Sequence, residues 1–257
     1  MRIFILAGTE DGRLLADVLK KQGYDILVSA LTAYGADLAR EHGLPARYGA
    51  IDDQTLAAIL QEGNFAALID ATHPYAVSVK ELAKRVCQEL SIPYVRWQRS
   101  SLEIESHPLI HWAKNIPEAA QIAAGLGQRI LLTTGSNALP EWTAQPCFKN
   151  KNLYVRVLPT SQVLGRCEAL GFKPNQIIAA QGPFSQEWDE AMFKQLKIEV
   201  VVAKESGKIG GTPEKVQSCL NLKIPLVLLE RPKTEEDVPN QRNDSIACLL
   251  KKLEELT

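Results

Sequence analysis

The chain has 257 residues, 46% of them apolar and 23% charged, with 29 Lys and Arg against 30 Asp and Glu. That length suits one large or two small domains with a full apolar core. The net charge of −1 argues against a general nucleic-acid binder, which would carry a basic excess. The cysteines, Cys87, Cys147, Cys167, Cys219 and Cys248, are odd in number and form no CxxC pair, as expected of reduced thiols in a cytoplasmic protein. No metal site is expected: His107 and His111 are separated by a chain that includes Pro108, which breaks a shared helical face. No apolar run approaches the roughly 18 residues of a membrane span, and the opening MRIFILAGTEDG reads as a buried strand and not a signal peptide.

In chain order, a strand is expected at 2–6, a helix at 10–22 closed by Gly23, a strand at 25–31, a helix at 35–42, a short strand at 46–49 and a helix at 52–62. A strand at 66–71, a helix at 75–90 and a strand at 93–97 complete five βα-type units. Residues 100–127 read as a join, irregular at first and then helical over 117–125. The rhythm then repeats, with strands at 129–133, 153–158, 176–180, 198–203 and 224–229. Helices near 136–142, 160–170, 185–195 and 211–221 alternate with them, and a last helix spans 244–256 behind Asp244 as N-cap. Short crossovers of this kind build parallel sheets covered on both faces. The expected fold class is α/β: two doubly wound, Rossmann-like domains, 1–100 and 101–257. Ligands of such sheets bind beyond the carboxyl ends of the strands, and a cleft between the two domains is the expected site.

The informative residues therefore follow the strands. After the first comes AGTEDGR, in which Gly8 and Gly12 flank the turn, Thr9 offers a hydroxyl, and a phosphate can approach the helix amides. A tight, well-capped strand–helix turn is the alternative. After the second strand the acid that binds ribose hydroxyls in NAD-preferring domains is missing. Ser29 and Thr32 stand there instead, which suits a 2′-phosphate; no arginine adjoins them, so the expected preference for NADP is mild. After the fourth strand comes a dense polar run, Asp70, Thr72, His73, Pro74 and Tyr75. A carboxylate ending an apolar strand needs partners, and a histidine there can move a proton near neutral pH; the alternative is that Asp70 and Thr72 cap the next helix. Arg96 and Arg99 emerge after the fifth strand, able to grip carboxylates. The second half offers Thr134 and Gly135, then Ser185 in Gly-Pro-Phe-Ser, then Lys204, Ser206, Gly207, Gly210 and Gly211. Lys204 ends an apolar strand as Asp70 does in the first half, so it is partly desolvated and needs an anionic partner.

Together AGTEDGR, DATHPYA at 70–76, IPYVRW at 92–97, LLTTGS at 131–136, GPFS at 182–185, KESGKIGG at 204–211 and IPLVLLERP at 224–232 resemble the precorrin-6A reductase family of cobalamin biosynthesis, including its cobalt-precorrin-6A branch. The likeness spans the chain in order. It departs at the first loop, where Ala7 replaces a glycine and Asp11-Gly12 stand for Glu-Ala. The resemblance implies reduction of one double bond of a corrin-type tetrapyrrole by NADPH, with NADH possible: hydride to C19 and a proton to C18. It implies a nucleotide site on the first domain (Gly8, Thr9, Gly12, Ser29, Thr32, Thr72, His73, Pro74). The macrocycle, rich in acetate and propionate groups, would meet Tyr75, Arg96, Thr134, Gly135, Ser185, Lys204, Ser206, Gly207, Gly210 and Gly211, with Asp70, His73 and Lys204 as catalytic candidates. A monomer is expected, with no nucleic-acid or membrane partner. Two rival readings exist. A short-chain reductase of a small carbonyl would need Tyr-x-x-x-Lys, and none of the six tyrosines has a lysine four residues on. A two-domain binding protein of the periplasmic type would need a signal sequence.

Overall fold

The structure is a computed structural model; it describes residues 1–97, 102, 104–207, 210–232 and 245–256. The chain divides into two compact units, residues 1–100 with 232–257, and residues 101–231.

The first unit runs β1 (Arg2–Leu6), α1 (Glu10–Lys21), β2 (Asp25–Ala30), α2 (Ala33–Glu41), β3 (Ala46–Tyr48), α3 (Asp53–Glu62), β4 (Ala67–Asp70), α4 (Val77–Glu89) and β5 (Tyr94–Arg96). All strands pair in parallel in the order β3-β2-β1-β4-β5. The order reverses between β1 and β4, so the loops after these two strands flank the crevice where doubly wound sheets take their ligands. Alternation along β1 sets the two faces. Ile3, Ile5 and Ala7 join a core with Leu15, Leu19 and Ala39 from α1 and α2. Phe4 and Leu6 join the opposite core with Leu56, Leu60, Ala83 and Val86 from α3 and α4.

The second unit runs β6 (Ile110–Ala113), α5 (Ile116–Leu126), β7 (Arg129–Leu132), α6 (Leu139–Thr143), β8 (Asn152–Val157), α7 (Ser161–Ala169), β9 (Ile177–Ala179), α8 (Gln186–Gln195), β10 (Val200–Lys204), α9 (Thr212–Leu222) and β11 (Leu226–Leu229). Its sheet is also all parallel, in the order β6-β11-β10-β7-β8-β9. Read from β9 to β11 this is the order of the first sheet, with β6 added at one edge. Lys204 at the end of β10 is thus the positional counterpart of Asp70 at the end of β4.

Two features differ from the sequence expectation. The stretch read as an irregular join contains β6, which pairs only with β11. The last helix, α10 (Ile246–Glu254), belongs to the first unit and not the second. Leu249 and Leu253, one turn apart, are fully buried in the core formed by Ile3, Ile5, Leu15, Ile69, Val95 and Trp97. The right-handed crossovers α1 and α2 cover β1 to β3 on that side and leave β4 and β5 bare; α10 supplies the missing cover. Ser245 caps it, accepting from the Cys248 amide at 3.2 Å, while Asp244 lies outside the described residues.

Candidate active site

The turn from β1 into α1 is built for close approach. Thr9 is the N-cap of α1; its hydroxyl accepts from the Gly12 amide at 3.2 Å and donates to the Ala71 carbonyl at 3.4 Å, which ties this turn to the loop after β4. A Cβ on Gly8 would meet no atom within 4 Å, so the backbone there is open to a ligand. Gly12 has a different task. A Cβ on it would stand 2.7 Å from the Ala7 side chain, so glycine lets α1 pack against its own strand. Glu10 and Asp11 in the first turn suit the helix dipole.

At the end of β2, Ser29 is buried and its hydroxyl accepts from Arg47 Nη1 at 2.9 Å. Arg47 comes from the neighbouring strand β3, where register sets it beside Ser29. This corrects the expectation that no arginine stands by Ser29 and Thr32. Arg47 forms no salt bridge among the described residues. Thr32 serves as N-cap of α2, accepting from the Gly35 amide at 3.1 Å.

The loop after β4 is held from beneath by a buried ion pair. Asp70 is 0% exposed and Arg96 7%. The Asp70 Oδ1 atom lies 2.8 Å from Arg96 Nη1 and accepts from the Thr72 amide at 2.9 Å. Oδ2 accepts from the Tyr94 hydroxyl at 2.7 Å. Arg96 also donates to the carbonyls of Asp70 and Thr72, at 3.0 and 2.9 Å, and to the Thr72 hydroxyl at 3.3 Å. The pair thus holds both the amide and the carbonyl of Thr72, at the base of the Thr72–Tyr75 loop. The buried ammonium of Lys80 holds the other side of it, donating to the Pro74 carbonyl at 2.5 Å. Pro74 is not the first helical residue; α4 starts at Val77 behind Ala76, without a side-chain cap, so Asp70 and Thr72 do not cap it. His73 Nδ1 accepts from the Tyr75 amide at 3.3 Å, which leaves the proton of the neutral ring on Nε2. The rings of His73 and Tyr75 lie 5.5 Å apart.

The second unit repeats this device. Glu205, directly after β10, is buried and ion-paired with Arg231, the second residue after β11. Glu205 Oε1 accepts from the Gly207 amide, two residues on, at 2.8 Å, as Asp70 accepts from Thr72. The loop it holds is compact. The Ser206 amide donates to the Thr212 hydroxyl at 3.1 Å and the Ser206 hydroxyl to the Lys204 carbonyl at 3.2 Å. Gly207 and Gly211 have φ of +75° and +69°, a region that favours glycine. A Cβ on Gly210 would strike Ser206 at 2.3 Å. Lys204 is half-buried at the end of its strand, and burial pulls its pKa below the ordinary lysine range.

Of the remaining candidates, Thr134 and Gly135 follow β7, the strand next to β10. Ser185 caps α8, accepting from the Trp188 amide at 3.3 Å. Arg99 and Lys208 lie outside the described residues. The structure thus joins Gly8, Thr9 and the Thr72–Tyr75 loop at one sheet edge, and Lys204, Ser206, Gly207, Gly210 and Gly211 at another. Arg47 is the residue that sequence reasoning missed. Only the pairing of β2 with β3 brings it to Ser29.

The model of the precorrin-6x reductase CbiJ/CobK family matches residues 2–253. A cobalt-precorrin-6A reductase of Salmonella typhimurium is 37% identical over 231 residues, 90% of this chain and 87% of that protein. One from Priestia megaterium is 34% identical over 234 residues, 91% of each chain. Among solved structures, CobK precorrin-6A reductase superposes with a TM-score of 0.74 at 23% identity, covering 100% of this chain and 97% of that one, a likeness of fold. The match along nearly the whole chain, with motifs in the same order on two doubly wound units, makes this chain a member of the precorrin-6x reductase family.

Proposed function

We propose that this enzyme reduces the C18=C19 double bond of cobalt-precorrin-6A with NADPH, giving the 6B form. The carrying observation is the family match over residues 2–253, joined to a first unit whose sheet edge suits a dinucleotide. The cobalt form is favoured because relatives of 37%, 34% and 33% identity bear that name, whereas two named for precorrin-6A alone are 27% and 29% identical. NADPH, when bound, supplies the hydride that goes to C19; a proton from the protein or from water completes C18.

The residues of the first unit fit that cofactor. Open backbone at Gly8 and the amides at the start of α1 receive the diphosphate. Arg47, Ser29 and Thr32 receive the 2′-phosphate. The loop Thr72–Tyr75, fixed by Asp70, Arg96 and Lys80, carries His73 Nε2–H as a hydrogen-bond donor. On the second unit Lys204 and the loop of Ser206, Gly207, Gly210 and Gly211 face anionic side chains of the macrocycle, with Thr134, Gly135 and Ser185 on the same sheet's loops. The reading includes a monomer in the cytoplasm. The five cysteines, all free thiols, agree with a reducing compartment. Among the described residues, no helix is long and apolar enough to cross a membrane.

The direct test follows nicotinamide absorbance after the protein is mixed with NADPH and either cobalt-precorrin-6A or its metal-free form. Oxidation dependent on the macrocycle, faster with cobalt, is expected; no oxidation with either overturns the reading. Two substitutions test the cofactor site. In Gly8→Val the Cβ meets no atom within 4 Å, so the fold should survive, yet NADPH affinity should fall at least tenfold, about 1.4 kcal/mol. An unaltered NADPH titration would remove the nucleotide from this loop. Arg47→Ala should lower kcat/KM for NADPH by roughly 1.5–3 kcal/mol, the range of a charge-assisted hydrogen bond, and leave NADH nearly untouched. An equal loss with both cofactors would place Arg47 away from the 2′-phosphate.

A further inference from the structure

Three charged side chains lie buried together in the second unit, and the cofactor reading uses none of them. Arg156 stands next to last in β8, Asp189 on α8 and Lys215 on α9. They are 8%, 1% and 7% exposed. Arg156 and Asp189 form an ion pair. Lys215 donates to the Gly211 carbonyl at 3.0 Å. The Asp189 and Glu214 carboxylates both act on the Lys215 charge, and Asp189 is also paired with Arg156. Cys219, also in the cluster, stays a neutral thiol because burial pushes its pKa up to about 12. Glu214, in the first turn of α9, faces the helix N-terminus at Gly211, where the dipole stabilises an acid. Keeping a second ammonium in such a place costs stability unless an anion arrives.

The surroundings say what kind of anion. The Arg156 guanidinium lies over the Phe184 ring at 4.3 Å and the Trp188 ring at 5.7 Å. The two rings are stacked, with centroids 4.2 Å apart, and Trp188 is 38% exposed. Arg156 and Lys215 are 8% and 7% exposed, and the rings beside Arg156 reach the surface at Trp188. Flat aromatic surface beside paired cations suits a planar ring that carries carboxylates, and not a lone phosphate.

We propose that Arg156 and Lys215 form a subsite for a carboxylate arm of the tetrapyrrole, whose ring edge lies along Trp188 and Phe184. This rests on the proposed substrate class and names residues that no motif of the resemblance contains, apart from Phe184. The subsite has a pH signature. Burial and the Arg156 charge lower the Lys215 pKa from the ordinary lysine value to about 8. Asp189, Cys219 and Glu214 oppose that shift. The protonated form binds the arm, so KM for the macrocycle should be low below about pH 8 and rise as pH climbs through that value.

The test is steady-state kinetics of the full chain with NADPH and cobalt-precorrin-6A, for wild type, K215M and W188A, across that pH range. K215M should fold with a modestly lower urea midpoint, since it keeps the volume of the stem but gives up the bond to the Gly211 carbonyl. Its KM for the macrocycle should rise at least tenfold and lose the step near pH 8, while the NADPH dissociation constant is unmoved. W188A should raise the same KM severalfold and keep the step. A wild type that oxidises NADPH, together with a K215M of normal KM and unchanged pH profile, overturns the subsite and leaves the reductase reading intact. A K215M that fails to fold makes Lys215 a structural residue and also overturns it. A wild type inactive on cobalt-precorrin-6A overturns the underlying reading instead.

Discussion

Asp70→Asn should be the most damaging single change in the first unit, costing about 3–5 kcal/mol of stability, the usual result of breaking a buried ion pair. The amide keeps the shape of the carboxylate but removes the negative charge that lies 2.8 Å from the Arg96 guanidinium, itself 7% exposed. It also withdraws an acceptor from the Thr72 amide or the Tyr94 hydroxyl, since an amide has one oxygen where the carboxylate offered two. Urea unfolding would measure the loss. Adding Arg96→Met to Asp70→Asn should recover part of it, because removing both charges is cheaper than stranding one. Enzymatic assays of the folded fraction separate two roles for Asp70. A positioning residue that shapes the Thr72–Tyr75 loop should, when altered, raise KM for NADPH more than it lowers kcat. A group that itself exchanges a proton should lower kcat at saturation. With both oxygens already engaged by Arg96, Thr72 and Tyr94, the first outcome is expected. A loss of stability under about 1 kcal/mol would mean that Lys80, and not the ion pair, holds the loop.

The fold was legible wherever local pattern and tertiary role agree. Apolar runs such as 3–6 and 200–203 are buried on both faces, as parallel strands flanked by helices must be, and they read as continuous apolar stretches. β6 escaped because it is a four-residue edge strand, Ile-His-Trp-Ala, whose partner β11 comes from the far end of the unit. Its pattern carries no alternation strong enough to mark it. The C-terminal helix was visible as a helix, with Leu249 and Leu253 one turn apart. Its destination was not, because an apolar stripe does not say which exposed sheet face it will cover. The site shows the same division. Asp70, Lys204 and the glycine turns stand out because they end strands or permit positive φ. Arg47 and Lys215 do not, since only strand pairing brings the first to Ser29 and only packing buries the second.

Lys204→Ala should weaken the macrocycle by roughly 1.5–3 kcal/mol, about ten- to a hundredfold or more in KM, the range of a charge-assisted hydrogen bond. Lys204 ends β10 where Asp70 ends β4, on the strand beside the switch of its sheet, so the loop that follows it stands where doubly wound sheets take ligands. Burial disfavours its charged form, and an anionic ligand restores it. Glu205 and Arg231 hold the start of the loop beyond and the Gly207 amide is bonded to Glu205, so truncating the Lys204 side chain should leave these groups in place. Cofactor affinity should be unaffected, since Gly8, Ser29 and Arg47, the residues proposed for the nucleotide, belong to the other unit. Salt provides an independent check. Raised ionic strength should weaken wild-type binding of the macrocycle more than mutant binding, because screening acts on the charge that the mutant lacks. Kinetics with NADPH and macrocycle varied in turn, at two salt concentrations, would decide the matter. A mutant with normal macrocycle KM, or one that loses only NADPH affinity, would place Lys204 outside the substrate site and leave Arg156 and Lys215 as the cations that hold the tetrapyrrole.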